Sequence, residues 1–349
     1  MSISHPMGKR NSSNVYPFSA IVGQFLLKKA LLLNAIDPDI GGVLIRGERG
    51  TAKSTAVRSL ATLLPKQEMI AGCPFGCDPN DPDSMCESCR SKKGDLQRIE
   101  HRMRVVELPV SATEDKVVGT LDISAAIKKG EKKFEPGILA EANRNILYVD
   151  EVNLLNDHIV DVLLDSAAMG INTVEREGIS FSHPSKFILV GTMNPEEGDL
   201  RPQLLDRFGL CVNIEGIVDP DVRLEIIERK MAFDEDPLKF RKEWESDEKR
   251  IEDDIKRTQK LLPDVKIDAS MLRKIVDICI SLDVDGHRGD IAMMKVSKTL
   301  AAYENRTEVD ESDIRRSAEM VLLHRMRKTP FSDAKLDGSM IDKALKNEK

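Results

Sequence analysis

One stretch decides the fold class of this chain, and it reads Gly47-Glu48-Arg49-Gly50-Thr51-Ala52-Lys53-Ser54. A short apolar run, Val43–Arg46, comes directly before it, and a helical pattern, Thr55–Leu64, follows. Strand, glycine loop and helix in this order form a P-loop, in which backbone N–H groups and the helix N-terminus bind phosphate oxygens. The alternative is a glycine turn that happens to precede Lys and Ser. The context predicts a nucleotide site with ATP and Mg²⁺ as cofactors.

Two residues at the end of this loop would carry the chemistry. The ammonium group of Lys53 would neutralise the β- and γ-phosphates, and the hydroxyl group of Ser54 would hold Mg²⁺. The loop departs from the strict pattern at Ala52, where that pattern has glycine. We expect alanine to be tolerated there if its backbone dihedrals are helical.

Short apolar runs alternate with helical patterns through the first two thirds of the chain. Five of these runs are predicted strands, namely Val43–Arg46, Val105–Leu108, Ile146–Val149, Phe187–Val190 and Cys211–Ile214. Near-continuous apolar strands separated by helices indicate an α/β fold, a five-stranded parallel sheet with helices on both faces. The alternating segments Ile171–Glu175 and Ile179–His183 predict a β-hairpin outside that sheet.

Polar residues follow two of these strands. Asp150 and Glu151 end the Ile146–Val149 strand, where Asp150 could hold the magnesium ion and Glu151 could polarise the water that attacks the γ-phosphate. Asn194 follows the next strand and could reach the γ-phosphate or the same water. The alternatives are a helix cap for the two acids and an ordinary turn residue for Asn194, which precedes a proline.

Three arginines are candidates for contact with the γ-phosphate. Arg207 lies just before the last strand and would face away from the nucleotide of its own subunit, so its role as an arginine finger implies a ring in which it completes the neighbour's site. Arg201 is the weaker candidate for that role. Arg288, at a helix start in Gly286–Asp290, could close over the γ-phosphate from a second domain.

Strand patterns stop after Ile214, and the rest of the chain reads as helices. Predicted helices begin at Asp219-Pro220 and Asp268 and span Asp290–Tyr303 and Asp310–Met326, while residues 241–260 read as a charged, solvated helix or connection. We therefore divide the chain into a disordered arm at 1–15, an α/β ATPase domain at 16–217 and a helical lid domain at 218–349. The ATPase domain would include a Cys-rich insertion at 71–95 and the hairpin at 171–183.

Four cysteines cluster in that insertion with the spacing C-x₃-C-x₈-C-x₂-C, namely Cys73, Cys77, Cys86 and Cys89. Two close pairs joined by tight turns can present four thiolates tetrahedrally, which suits a structural Zn²⁺ ion. An iron–sulfur cluster also uses four thiolates, and free thiols or a regulatory disulfide are further alternatives. We favour a metal, with zinc ahead of iron–sulfur. The other two cysteines, Cys211 and Cys279, lie in apolar runs and are predicted core residues.

Composition excludes several classes of protein. The 349 residues contain 52 Lys+Arg and 59 Asp+Glu, a net charge of −7 that argues against nucleic acid as the main partner. No apolar run approaches the length of about 18 residues that a membrane helix needs. The N-terminal residues lack the apolar region of a signal peptide. We therefore expect a cytoplasmic protein with no membrane span.

The chain resembles the AAA+ ATPases and, within them, the I subunit of magnesium chelatase. The resemblance covers the chain from about Tyr16 to about Met326 and rests on Val22-Gly23-Gln24, Asp115–Asp122, Phe134–Ala140, Asp150–Leu155, Asp157–Asp161, Asn194–Leu210 and Gly286–Asp290. It implies that Lys53 and Ser54 belong to Walker A and that Asp150 and Glu151 form Walker B. It also implies that Asn194 is sensor 1, Arg207 the arginine finger and Arg288 sensor 2.

The resemblance also implies a partnership. In this family the I subunit forms a hexameric ring, hydrolyses ATP, and acts with a D subunit that carries an integrin-type domain. A large H subunit binds the porphyrin and inserts Mg²⁺ into protoporphyrin IX, and related cobaltochelatases insert Co²⁺ into a corrin precursor. The present sequence contains no Asp-x-Ser-x-Ser segment and leaves no room for a tetrapyrrole domain, so we expect it to hydrolyse ATP but not to insert metal alone.

Three other functions belong to related classes. A MoxR-type AAA+ remodelling chaperone has a similar core and is the main alternative. A minichromosome-maintenance-like helicase would need basic channel hairpins, whereas residues 171–183 offer only Arg176 and His183 against Glu175 and Glu177. An enhancer-binding activator would need a Gly-Ala-Phe-Thr-Gly-Ala loop and a DNA-binding helix-turn-helix, and the sequence contains neither.

Overall fold

A computed structural model describes residues 15–48, 50–92, 96–122, 133–176, 179–326 and 340–342. Residues 1–14 of the predicted arm and Arg49 of the phosphate loop lie outside these ranges, as do the ends of the predicted lid domain at 327–339 and 343–349.

The described chain alternates strands and helices as far as Ile214 and is helical afterwards. Its strands are β1 (Val43–Gly47), β2 (Gln67–Ile70), β3 (Arg98–His101), β4 (Val105–Leu108), β5 (Gly119–Asp122), β6 (Lys133–Pro136), β7 (Ile146–Val149), β8 (Ile171–Arg176), β9 (Ile179–Pro184), β10 (Ile188–Met193) and β11 (Leu210–Ile214). Its α-helices are α1 (Phe25–Ile36), α2 (Lys53–Leu63), α3 (Glu87–Arg90), α4 (Glu114–Val118), α5 (Ile138–Ala142), α6 (Asp157–Met169), α7 (Pro202–Leu205), α8 (Pro220–Glu235), α9 (Pro237–Leu261), α10 (Ala269–Ser281), α11 (Arg288–Tyr303) and α12 (Glu311–Val321).

The main sheet has five strands in the order β11-β1-β10-β7-β4, and all of its pairings are parallel. The predicted fold class is therefore confirmed, and every predicted strand overlaps an observed one. Strand β10 differs most, because it begins one residue later than predicted and continues through Gly191, Thr192 and Met193. These residues are fully buried, so a glycine and a hydroxyl side chain belong to a strand that the apolar pattern had ended too early.

Core residues cover both faces of this sheet. One apolar cluster joins α1 and α2 to one face and continues into the helical region, through residues such as Leu31, Leu60 and Val296. The other cluster joins α6 to the opposite face, through residues such as Leu163 and Phe208. The parallel strands therefore bury both faces, which explains their near-continuous apolar sequence.

In the described part of the chain, three antiparallel strand pairs lie outside the main sheet. The predicted pair is confirmed as β8–β9, although residues 177 and 178 of its turn lie outside the described part of the chain. The other two, β2–β3 and β5–β6, were not predicted. Their strands have four residues each and carry charged side chains, so neither shows the alternation by which a half-buried strand is recognised.

Three of the described helices after the sheet, α8, α10 and α12, begin at predicted capping residues. The side chain of Asp219 accepts hydrogen bonds from the first turn of α8, and Asp268 caps α10 in the same way. Asp310 forms a capping box with Asp313 at the start of α12. Helix α11 begins two residues before the predicted Asp290, and α12 ends at Val321 rather than Met326.

The charged segment at 241–260 is part of α9, a helix of 25 residues. Its single tryptophan, Trp244, lies under the guanidinium group of Arg229, 4.5 Å from the ring centroid. This contact attaches α9 to α8, so the segment is a packed helix with one solvated side. No helix of the described residues has the length and apolar character needed to span a membrane.

Candidate nucleotide site

The phosphate loop follows β1 directly, and its backbone explains its glycines. A Cβ atom on Gly47 would lie 2.3 Å from the carbonyl oxygen of Ile214 on β11, so only glycine fits between these strands. Gly50 has φ +84°, and no described atom lies within 4 Å of the position its Cβ would take. The loop is therefore open above Gly50, and a ligand can approach its backbone closely.

Ala52 does not have the right-handed helical dihedrals that we set as the condition for tolerating alanine at this position. Its φ and ψ are 61° and 20°, the left-handed conformation that glycine adopts without strain and that costs an L-residue about 1–2 kcal/mol. The condition is therefore not met, because Ala52 precedes α2, which begins at Lys53. The phosphate loop therefore contains one residue, Ala52, in a strained backbone conformation.

Lys53 and Ser54 occupy the first turn of α2, where backbone N–H groups have no partner within the helix. The ammonium nitrogen of Lys53 donates to the carbonyl oxygen of Gly47 at 2.6 Å, so the side chain folds back over the loop. The hydroxyl group of Thr51 donates to the carbonyl oxygen of Glu48 at 2.9 Å and closes the loop from the other side. A positive group and a helix N-terminus thus meet at one place, as phosphate binding requires.

Asp150 and Glu151 follow β7, and β10 lies between β7 and β1 in the sheet. Asp150 accepts hydrogen bonds from the hydroxyl groups of Tyr148, at 2.9 Å, and Thr192, at 2.6 Å. The backbone N–H of Glu151 donates to the same Thr192 oxygen at 3.1 Å. Burial and the adjacent Asp150 carboxylate raise the pKa of Tyr148 above its usual value, so this hydroxyl remains a donor.

Thr192 is a site residue that the sequence reasoning missed. It lies on β10, between β1 and β7, and its hydroxyl group fixes both acidic positions. The available signal was a threonine near the end of an otherwise apolar run, two residues before the predicted Asn194. Glu151 itself has φ +55°, and this left-handed backbone turns the chain sharply after β7.

Asn194 is almost fully buried at the end of β10. Its side-chain oxygen accepts a hydrogen bond from the backbone N–H of Glu196 at 3.3 Å and caps the short turn Pro195–Glu197. The structure therefore shows the turn interaction that we gave as the alternative for Asn194. The residue also lies where β10 ends, which is where a contact with the γ-phosphate or the attacking water would require it.

Arg207 and Arg288 are both associated with the turn before β11. Arg207 lies in this turn, and Arg288 contacts the preceding residue, Asp206. The guanidinium group of Arg207 contacts Asp161 at 3.0 Å and Asp165 at 2.7 Å, both on α6. Arg288, at the start of α11, contacts Asp206 at 2.9 Å. The described partners of both guanidinium groups are therefore carboxylates of α6 and of the turn before β11.

Arg325 holds the same turn from the helical region and was not predicted. Its buried guanidinium group donates to four carbonyl oxygens and to one carboxylate oxygen, with partners Asp206, Phe208, Gly209 and Val321. Burial lowers its pKa, and the Asp206 carboxylate opposes that effect. The neighbouring His324 has its Nε2 atom 2.9 Å from the carbonyl oxygen of Phe208. These two residues dock the helical region onto the segment that carries Arg207.

The four clustered cysteines come together as buried free thiols. Their sulfur atoms all lie within 4.8 Å of one another, and the Sγ atoms of Cys73 and Cys86 are 3.9 Å apart. The Sγ atom of Cys77 accepts a hydrogen bond from the backbone N–H of Cys86 at 3.2 Å. Burial raises the pKa of Cys89 to about 12. Cys211 and Cys279 are buried elsewhere in the core, as predicted.

The parallel sheet, the phosphate loop at its edge and the helical region behind it define an ATPase of the AAA class. The chain matches the AAA domain family (dynein-related subfamily) over residues 96–208 and the AAA lid domain family over residues 272–344. It is 55% identical over 333 residues to the magnesium-chelatase subunit ChlI homolog of Methanocaldococcus jannaschii, covering 95% of this chain and 91% of that one. Over 338 residues it is 53% identical to magnesium-chelatase subunit ChlI of a Nostoc species, covering 96% and 88%. The chain belongs to the magnesium-chelatase subunit ChlI family.

Solved structures are similar over the same length. A chain in a structure of the complex between subunits BchI and BchD of magnesium chelatase, based on a cryo-EM reconstruction, is 45% identical with a TM-score of 0.55, covering 95% of this chain and 99% of that one. A crystal structure of a putative ATPase from Cytophaga hutchinsonii has a TM-score of 0.63 at 17% identity, covering 95% and 92%. The second likeness concerns the fold alone.

Proposed function

We propose that this chain is the ATP-hydrolysing subunit of a multisubunit chelatase that inserts Mg²⁺ into protoporphyrin IX, or Co²⁺ in a related enzyme. The observation that carries the proposal is the alignment of three strand ends. Lys53 follows β1 and its loop, Thr192 is the second-to-last residue of β10, and Asp150 follows β7, on three adjacent strands of one sheet. The names of the relatives supply the chelatase context.

The residues of this site suit ATP and Mg²⁺. Lys53, the open backbone at Gly50 and the first turn of α2 would hold the phosphates, and Ser54 and Asp150 would hold the magnesium ion. Bound MgATP would supply the γ-phosphoryl group, and the transfer of this group from ADP to water drives the ATPase cycle. The carboxylate group of Glu151 would orient the attacking water and accept its proton, while Asn194 would hold the γ-phosphate side of the site. Arg49 belongs to the same proposed loop but lies outside the described residues.

Ring assembly is the second part of the proposal. Arg207 contacts carboxylates of α6 rather than its own phosphate loop, which supports a role toward a neighbouring subunit in a homo-hexamer. Arg288 would act from the lid as sensor 2, and its contact with Asp206 links it to the segment that carries Arg207. The domain limits 16–217 and 218–349 and a cytoplasmic location remain predictions.

The partners would be a D-type subunit and a large H-type subunit that binds the tetrapyrrole. A chain of the BchI–BchD complex is similar to this one along nearly its whole length, which supports the D-type partner. The test is reconstitution: this chain, the D-type and H-type subunits, ATP, Mg²⁺ and protoporphyrin IX should together give the metallated absorbance spectrum.

Two controls make that experiment decisive. The chain alone should hydrolyse ATP and leave the porphyrin spectrum unchanged, and Lys53→Ala should abolish metal insertion while the H-type subunit still binds porphyrin. Metal insertion that proceeds equally fast without this chain would contradict the proposal and favour the remodelling chaperone.

We also propose that the four clustered cysteines bind a metal, and we favour one zinc ion. Tetrahedral ligation at a Zn–S distance of about 2.3 Å places sulfur atoms about 3.8 Å apart, close to the 3.9 Å between Cys73 and Cys86. An iron–sulfur cluster inserts its own atoms between the thiolates and needs wider spacing than this. Elemental analysis should find one zinc per chain, and brown protein containing iron would contradict the assignment.

A further inference from the structure

Phe75 lies between the first two cysteines of the cluster, so the turn that presents Cys73 and Cys77 also positions its ring. The side chain is buried, and it packs with the cysteines, Ile70 and Met85 in one apolar cluster. Gly76, next in the chain, has φ +59°, a left-handed conformation that bends the turn between the two thiols. The direction of the Phe75 ring therefore depends on how the two thiols are held.

The ring of Phe75 contacts two hairpins, β5–β6 and β8–β9. It stacks on the imidazole ring of His183 from β9, with centroids 4.8 Å apart and planes 16° apart. Its centroid is also 6.2 Å from those of Phe134 on β6 and Phe181 on β9, which stack on one another at 4.3 Å. We name these four rings, Phe75, Phe134, Phe181 and His183, the aromatic stack.

The imidazole ring of His183 is fixed within the stack by polar contacts. Its Nδ1 atom lies 2.9 Å from the carbonyl oxygen of Pro184, and its Nε2 atom lies 3.0 Å from the side-chain nitrogen of Asn172 on β8. The same Asn172 nitrogen donates to the carbonyl oxygen of Val118, just before β5, at 2.9 Å. The stack therefore joins hairpin β5–β6 to hairpin β8–β9, and Phe75 is its contribution from the cysteine insertion.

A second contact attaches the insertion to the sheet on the side away from the nucleotide site. The side-chain nitrogen of Asn143 donates to the carbonyl oxygen of Phe75 at 2.7 Å, and its side-chain oxygen accepts from the N–H of Lys186 at 2.9 Å. Asn143 precedes β7 and Lys186 precedes β10, whereas Asp150 and Asn194 follow these strands. Because the strands are parallel, the insertion and the phosphate loop lie at opposite edges of the sheet.

We infer that the metal held by the four cysteines sets the position of Phe75 and thereby the packing of hairpin β5–β6 against hairpin β8–β9. This inference rests on the metal site proposed above. Metal bonds to Cys73 and Cys77 fix both ends of the turn that carries the ring, whereas four unligated thiols offer only weak S–H hydrogen bonds. Metal content then controls the arrangement of the hairpins without any contact with the nucleotide site.

Hydrogen–deuterium exchange on the full chain tests this inference, with zinc content measured on the same samples. Phe75→Ala keeps all four thiols, so it should retain one zinc per chain and still raise amide exchange in residues 171–176 and 179–184 at least about tenfold. Removing zinc from the wild-type chain, or the double change Cys86→Ser and Cys89→Ser, should raise exchange in the same peptides. Exchange in β1 and β10 should stay within about twofold of the wild-type rate.

Cys279→Ala is the matched control, because it removes a buried thiol from α10 and should change neither zinc content nor hairpin exchange. If the chain binds zinc but its removal and Phe75→Ala both leave hairpin exchange unchanged, the inference is wrong and the metal site stands. If the purified chain binds no metal, the metal site and the inference fail together, while the ATPase proposal is untouched.

Discussion

Replacing Arg325 by methionine removes the guanidinium group that joins the helical region to the turn before β11. Methionine keeps much of the side-chain volume but makes none of the five hydrogen bonds that Arg325 donates. The carbonyl oxygen of Phe208 keeps its contact with His324, and the Asp206 carboxylate keeps Arg288. The carbonyl oxygens of Asp206, Gly209 and Val321 lose the Arg325 contacts.

The expected cost follows from those three carbonyl oxygens and from the lost ion pair. A buried acceptor left without a partner costs about 1–3 kcal/mol, and breaking a buried ion pair costs about 3–5 kcal/mol. Asp206 is partly exposed and retains a second arginine, so its lost ion pair adds little, and about 1 kcal/mol for each of the three acceptors gives a total of about 3 kcal/mol. The measurement is urea unfolding at neutral pH, followed by the fluorescence of Trp244, which lies in the helical region.

Arg315→Met is the matched control, because Arg315 lies on the neighbouring helix α12 and pairs with Glu319 and Asp342 near the surface. A surface ion pair contributes about 0–1 kcal/mol, so this variant should unfold almost like the wild-type chain. If Arg325→Met loses no more stability than Arg315→Met, the buried guanidinium group does not hold the two regions together and the reasoning is wrong.

Four further predictions concern the proposed site and its surroundings. Glu151→Gln should bind ATP but lower its hydrolysis about 10²–10⁴-fold, because the amide cannot accept the proton of the attacking water. Mixing Arg207→Ala with Lys53→Ala subunits should restore part of the ATPase activity that each lacks alone, because a mixed ring contains interfaces intact on both sides. Burial and the adjacent arginine hold the pKa of His324 well below 6.5, so the unfolded chain binds a proton that the folded chain does not. Stability should therefore fall as the pH drops below about 6.5, by up to about 1.4 kcal/mol per pH unit, and less so in His324→Gln. Ala52→Gly should raise the free energy of unfolding by up to about 1 kcal/mol by relieving the left-handed strain.

Each of these predictions has a clear contrary result. Wild-type turnover in Glu151→Gln would remove that residue from the chemistry, and mixed rings no more active than their parents would mean that Arg207 acts within its own subunit. A pH profile unchanged by His324→Gln would place the responsible proton elsewhere. A less stable Ala52→Gly chain would show that the strain is smaller than the added entropy of the unfolded glycine.

The features that the sequence analysis missed all depend on contacts between residues far apart in the chain. Thr192 reads as part of an apolar run until β10 and β7 pair and bring its hydroxyl group to Asp150, 42 residues away. Arg325 reads as one more charged residue at the end of the predicted helix Asp310–Met326, although its partner Gly209 lies 116 residues earlier. The hairpins β2–β3 and β5–β6 were missed for the same reason, because their short charged strands pair only within the folded chain.

The sequence by itself determined the α/β class, the phosphate loop, the acids after β7 and the starts of the later helices. Each of these depends on residues close together in the chain, and local periodicity, capping and turn chemistry report such features directly. Only the tertiary structure decided the left-handed backbone of Ala52, the convergence of the four thiols, the aromatic stack and the docking by Arg325. These depend on which atoms meet when separate elements pack, and packing is set by the shape and polarity of the whole core rather than by any one segment.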